Sequence, residues 1–248
     1  MKHIVIVGAT SGIGLALTRL CLQKGFRVGG CGRFIEALEQ IKTQYPHHFE
    51  YTELDIRQTE SIPKALDILI RDLGGMDICL VSSGIGGNGA ELNWEEELNV
   101  IQTNVTGYAA VLNYGAQYFI KAGGGHLAGI TSLTKYFGFR NAAYNASKAF
   151  EAVYLESLRL KLERYGIAVT EIVPGFVQTP MVKENVKMFW LVGVEKAAHQ
   201  ILSALEKRKK VVYISKRWRL IRWILPFLPY AVIRFLYTKE QKLKATGR

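Results

Sequence analysis

Residues 3–14 read HIVIVGATSGIG: an apolar run, HIVIV (3–7), and directly after it GATSGIG (8–14), with glycines at 8, 12 and 14. Glycine surrenders more backbone entropy on folding than any other residue, so three within seven positions need a geometric reason. A strand that ends in a tight turn and runs straight into a helix supplies one. A glycine at such a turn lets the backbone approach a pyrophosphate, one inside the helix permits close packing on the sheet, and Gly8, Gly12 and Gly14 are all expected to border such a ligand. The exposed amides and the helix dipole then favour phosphate charge. A glycine-rich turn without a ligand is the competing explanation, and the rest of the chain has to decide between the two.

Working outward, the same alternation continues. KHIVIV (2–7), FRVGGC (26–31), HFEYTEL (48–54), MDICLVS (76–82), GHLAGIT (125–131), IAVTEIV (167–173) and KVVYI (210–214) read as strands. Amphipathic stretches at 12–24, 34–45, 59–72, 95–121, 142–165 and 193–206 read as the helices between them. Strand–helix alternation of this length predicts an α/β fold: a Rossmann-type, doubly wound, mostly parallel seven-stranded sheet with helices on both faces. Near-continuous apolar strands such as HIVIV suit burial on both sides. One domain is expected over residues 1–215, followed by a basic amphipathic tail over 216–248.

Composition narrows the class. A length of 248 residues, 49% hydrophobic and 21% charged, fits one folded domain with a sizeable core. Cys21, Cys31 and Cys79 are odd in number and show no metal or disulfide spacing, and the apolar start is too short for a signal peptide, so a cytoplasmic setting is expected. The net charge of +11 is local. From Lys207 onward there are 13 Lys or Arg against one acid, Glu240, a net +12, while the other 206 residues hold 19 basic and 20 acidic groups, a net −1. A neutral body removes most of the support for nucleic-acid binding, and no nucleic-acid partner is expected.

Ligands of open α/β sheets sit beyond the carboxyl ends of strands, and the unusual residues collect there. Strand two ends in CGRF, where an acid would bind the ribose hydroxyls of NAD and an arginine the extra phosphate of NADP. Gly32 and Arg33 therefore favour NADP(H) over NAD(H), with Ser11 placed to assist. Strand five ends in GITS, and twelve residues after Ser132 comes YNASK. Tyr144 and Lys148, four apart, share one helix face. A phenol with a pKa of about 10 is a poor acid or base at neutral pH unless an ammonium stabilises its phenolate. A hydroxyl from Ser132 at a strand end completes a set suited to hydride chemistry on a carbonyl; Thr131 is a minor rival for that position.

With the G-x-x-x-G-x-G spacing, these residues resemble the short-chain dehydrogenase/reductase family over residues 2 to about 215. The family usually separates serine and tyrosine by thirteen, and the difference is read as a one-residue loop deletion. The resemblance implies NADPH-dependent reduction of a ketone or aldehyde, with Ser132, Tyr144, Lys148 and Asn104 of QTNVTG (102–107) as catalytic residues. It adds Ile13 and Ile56 as cofactor neighbours, Asp55 as the aspartate that meets the adenine, and Gly84 of VSSG, where the family's N-N-A-G is largely replaced. Asp55 also reads as an ordinary turn aspartate. In VPGFVQTPM (173–181), Pro174 and Gly175 turn the chain, while Val177 and Thr179 anchor the nicotinamide. The resemblance further implies a homodimer or homotetramer formed through the helices bearing Asn104 and Tyr144. An alcohol dehydrogenase running oxidatively and a catalytically idle NADP-sensing scaffold are the alternatives.

The tail differs in kind. Between Arg222 and Arg234 lie eleven uncharged residues broken by Pro226 and Pro229, too few to span a bilayer. Trp218, Trp223 and Tyr230 among arginines suit peripheral contact with an anionic membrane surface over 216–237. Packing over the substrate cleft, or against another subunit, fits the same residues. Together with the expected substrate cover, MVKENVKMFWLV (181–192), the tail points to an apolar, lipid-like carbonyl or alcohol substrate.

Overall fold

The computed structural model describes residues 2–87, 92–139, 141–179, 190–215, 217–221, 224 and 227–245. Seven strands form one parallel sheet: β1 (His3–Val7), β2 (Arg27–Gly32), β3 (Phe49–Glu53), β4 (Ile78–Val81), β5 (Gly125–Ile130), β6 (Ile167–Pro174) and, last in the chain, β9 (Val211–Ile214). Their order across the sheet is β3-β2-β1-β4-β5-β6-β9, every pair parallel. The chain builds outward one way from β1 and the other way from β4. The reversal between those two strands opens a crevice at their carboxyl ends.

Alternate residues along a strand face opposite ways, and both faces are covered. Ile4 and Ile6 of β1, with Ile78 and Leu80 of β4, pack under α1 (Gly12–Gln23), α2 (Glu36–Gln44) and α7 (Val194–Glu206). Val5, Val7, Cys79 and Val81 pack under α3 (Ile62–Leu73), α5 (Tyr108–Ala122) and α6 (Ala142–Leu162). The three cysteines are buried and free. This is the doubly wound architecture the alternation predicts.

Three local features go beyond the pattern. The stretch read as one helix over 95–121 is α4 (Trp94–Ile101), a π-helical turn at Gln102–Gly107, and then α5. At the end of that turn a Cβ on Gly107 would stand 2.4 Å from the Ile56 carbonyl oxygen, so the widened turn lets the helix pass close under the β3 loop. Two tiny strands, β7 (Val177–Gln178) and β8 (Val192–Gly193), pair in parallel; two residues each leave no periodic signal to read. Beyond β9 the tail forms α8 (Trp218–Ile221) and α9 (Tyr230–Ala245). Trp218 meets Trp190 and Phe176 edge-on at 5.0 and 5.9 Å, and Tyr237 meets Phe139 at 6.0 Å. Of the stretch read as a substrate cover, residues 181–189 lie outside the described residues.

Candidate active site

Beyond the carboxyl ends of the strands lies a cleft of about 790 Å³. Its floor begins with the opening glycines. Gly8 leaves β1 at a φ of +91°, and a Cβ there would stand 2.5 Å from the Ser83 amide nitrogen. Gly14 does not line the cleft: a Cβ on it would stand 2.0 Å from the Gly8 carbonyl oxygen, so its bareness lets α1 press against the turn. Ser11 occupies the N-cap of α1 with no side-chain capping bond, which leaves first-turn amides for a ligand; Ser11, Gly12 and Ile13 all line the cleft. A cradle that a side chain would fill, facing an uncapped helix terminus, fits the pyrophosphate of a dinucleotide.

Arg33 stands at the cleft's edge just beyond β2. Its neighbour Gly32 offers no acid, and a Cβ there would come within 2.6 Å of Thr10 Cγ2, which would have to turn aside. Asp55 borders the cleft as a turn aspartate. It accepts from the Arg57 amide at 3.0 Å and from the Arg57 guanidinium, whose hydrogen bond holds the carboxyl below its usual range. Arg57 also donates to Asn99 Oδ1, tying this corner to α4. Ile56, buried, and Gly84 complete this half. A Cβ on Gly84 would stand 3.2 Å from Lys148 Nζ, so the bare backbone makes room beside the ammonium.

The other half is built on β5 and α6. Asn141 caps α6, accepting from the Tyr144 amide at 3.1 Å, which fixes Tyr144 in the first turn and Lys148 one turn later. Both line the cleft, with Lys148 Nζ 5.6 Å from the centre of the Tyr144 ring. Ser132 follows β5 with extended backbone and accepts from the Thr134 amide at 3.2 Å, a bond that leaves the hydroxyl proton available. Thr131 is committed elsewhere, donating to Glu171 at 2.8 Å. Of these two neighbours, Ser132 is the one whose hydroxyl proton is not already spent. Pro174 ends β6, and Gly175, Val177 and Thr179 carry the wall across to the α1 turn, where a Cβ on Gly12 would meet Thr179 Cγ2 at 3.4 Å.

Asn104 does not line the cleft. Fully buried on the π-helical turn, it exchanges hydrogen bonds with the backbone of Ile85, both 2.9 Å, and donates to Ser147 Oγ at 3.0 Å. It straps the β4 loop to α6. Everything else named from the sequence, Gly14 apart, borders this one space.

Two features add to the sequence reading. Trp218 of the tail lines the cleft, one of the alternatives the tail's composition allows, with its indole N–H buried and without a hydrogen-bond partner among the described residues. Glu151, one face along from Lys148, is fully buried against its ammonium. Composition allows the first without singling out Trp218, which only packing does. The second had a signal, because an acid three residues after Lys148 shares its helix face.

Ser132, Tyr144 and Lys148 thus border the same cleft as a cradle that fits a dinucleotide. The family model described as short chain dehydrogenase matches residues 2–189. The chain belongs to that family, the short-chain dehydrogenases/reductases, and is an oxidoreductase. An uncharacterized oxidoreductase of Myxococcus xanthus is 35% identical over 187 residues, 73% of this chain and 74% of the relative. Dehydrogenase/reductase SDR family member 7B of Bos taurus is 27% identical over 270 residues, covering 97% of this chain and 83% of the relative. Among solved structures, an actinorhodin polyketide ketoreductase with NADPH superposes with a TM-score of 0.76 at 24% identity, over 86% of this chain and 95% of that one. Among the described residues, no helix is long and apolar enough to cross a membrane.

Proposed function

We propose that the protein is an NADPH-dependent carbonyl reductase that turns a ketone or aldehyde on an apolar, lipid-like substrate into the alcohol. The observation that carries this reading is the Tyr144–Lys148 pair at the end of the cleft opposite the α1 terminus. When bound, the reduced nicotinamide supplies the hydride. Ser132 holds the substrate oxygen against the phenol. As the carbonyl π bond breaks and carbon takes the hydride, Tyr144 gives its proton to that oxygen, and Lys148 steadies the phenolate until water returns a proton. Asn104 keeps the Ile85 loop and α6 in register beneath.

Preference for NADP(H) is supported by Arg33 just beyond β2 and by a glycine, not an acid, at position 32. The NADPH in the ketoreductase named above is in keeping with it. An apolar substrate is supported by the aromatic wall of Phe137, Phe176 and Trp218. Self-association through α6 is supported by Val153 and Leu160, seven residues apart on one helix face and 62% and 72% exposed. Peripheral contact of 216–237 with an anionic lipid surface is supported by exposed Leu220, Phe227 and Phe235 among arginines. On this reading residues 1–215 carry the chemistry and 216–248 adapt it to its substrate.

The test is NADPH oxidation across a panel of apolar ketones and aldehydes. Turnover that Tyr144→Phe reduces by at least about a thousandfold supports the reading, in line with the loss of a general acid; turnover unchanged in that variant overturns it.

A further inference from the structure

Beneath the phenol and the ammonium sits a carboxylate to which the reaction just described gives no part. Glu151 has no exposed side-chain surface, and both its oxygens lie 2.9 Å from Lys148 Nζ, whose side chain is 6% exposed. The Ile130 carbonyl lies 3.4 Å from the same nitrogen. An ammonium has three N–H groups, so Glu151 and Ile130 fix where this one stands. Burying a carboxylate is costly unless it is paired, and Lys148 is that pair.

The other charged and titratable groups acting here come from the elements packed on α6. Glu171 of β6 adds a like charge, and is itself held by Lys135 and by Thr131 Oγ1. Tyr108, at the start of α5, has a buried hydroxyl with no hydrogen-bond partner among the described residues and feels both carboxylates. Burial, reinforced by Glu171 and opposed by Lys148, pushes the Glu151 carboxyl up to about 7.

We infer that Glu151 is a positioning residue that anchors the Lys148 ammonium and offsets its charge, so that its own ionisation sets how strongly Lys148 stabilises the Tyr144 phenolate. A lone positive charge near the phenol acts as a monopole; with a negative charge 2.9 Å from it, the pair acts as a dipole, whose field falls faster with distance. Ionised Glu151 therefore weakens the phenolate. Alcohol oxidation needs the phenolate as base, whereas carbonyl reduction uses the neutral phenol as acid. The buried carboxylate biases the site toward reduction, a consequence that rests on the function proposed above.

The test needs neither cofactor nor substrate. Phenolate ultraviolet absorbance is titrated in the full-length protein, and the same titration of Tyr144→Phe is subtracted to isolate one tyrosine. Glu151→Gln keeps an oxygen for the ammonium and removes the charge; the Tyr144 signal is expected about one pH unit lower than in the wild type, a tenfold change in ionisation. Glu151→Asp keeps the charge but draws it back by one methylene, and its signal is expected between the two. A signal unmoved in either variant that folds, as judged by circular dichroism, overturns the inference, since a purely structural role would alter stability and leave the titration where it was. A flat titration beside Tyr144-dependent turnover sinks this inference alone. Turnover that survives Tyr144→Phe sinks the functional reading and leaves the titration result standing.

Discussion

The two halves of the cleft are made of different material. The floor of the half proposed for the cofactor is backbone, the Gly8 turn, the α1 terminus and the bare Gly84, fixed by strands whose register is set across the sheet, with Arg33 and Asp55 beside it. The substrate half is side chain: Phe137 from the loop after β5, Phe176 from beyond β6 and Trp218 from the tail. A backbone cradle tolerates almost no change, because its shape is the absence of atoms. An aromatic wall assembled from separate segments can be altered piece by piece. On the proposed function, one half would serve a ligand common to a family and the other the substrate of one enzyme.

The largest effect expected from this contrast is at Gly14. A methyl there would lie 2.0 Å from a backbone oxygen that has nowhere to go. Gly14→Ala should cost about 3 kcal/mol or more of stability and abolish dinucleotide binding, read by chemical denaturation and by quenching of protein fluorescence with NADPH. A stable, NADPH-binding variant would break the distinction between the halves.

Next in size is an acid limb that belongs to the scaffold beneath both. His126 at the start of β5 is buried against Thr170 Oγ1 at 2.7 Å; burial, then Arg208 and Lys2, press its pKa down to about 4. The folded state binds this proton less readily than the unfolded chain. Its contribution is therefore intact above about pH 6.5 and is lost progressively as pH falls toward 4, by about 3 kcal/mol in all. His126→Gln should flatten that part of the stability profile while cofactor affinity at neutral pH stays put. Smaller again is Arg33→Ala. It should weaken NADPH binding about tenfold and leave NADH within about twofold, the size of one charge-assisted contact at an exposed site. Equal losses for both cofactors would remove Arg33 from the phosphate.

How much of this was legible in the sequence follows the same division. The seven strands fall within one or two residues of their apolar runs, because burial on both faces imposes a continuous signal. The glycines, Ser132, Tyr144 and Lys148 were legible because each has a fixed offset from a strand end or along one helix. The π-helical turn leaves no mark in the local residue spacing, and the Ile56 carbonyl it passes closely is distant in sequence. Asn104 was placed correctly on its helix, but its grip on Ile85 and Ser147 is tertiary. Glu171, an acid inside the run IAVTEIV, was in plain view and unexplained until Thr131 and Lys135 appeared beside it. The tail was the least legible: arginines and tryptophans suit lipid, a subunit or a cleft equally well by composition, and only packing distinguishes Trp218, which faces the cleft, from Leu220 and Phe227, which face out.

That difference within the tail yields the smallest and most discriminating prediction. Trp218 stacks edge-on against Trp190 and Phe176 and would collide with any side chain at Gly175, so its ring is held on three sides and presents the remaining one to the cleft. Removing it should cost substrate affinity in proportion to the apolar surface lost, about fivefold in KM for a bulky apolar ketone. NADPH affinity should stay constant, because the cradle across the cleft is backbone and does not lean on the ring. Leu220→Ala, on the outward side of the same short helix, should leave KM unchanged and lower only attachment to anionic vesicles, measured by flotation. If Trp218→Ala instead weakened NADPH and a small ketone alike, the tail would be bracing the whole crevice, and the two halves would have to be treated as one mechanical unit.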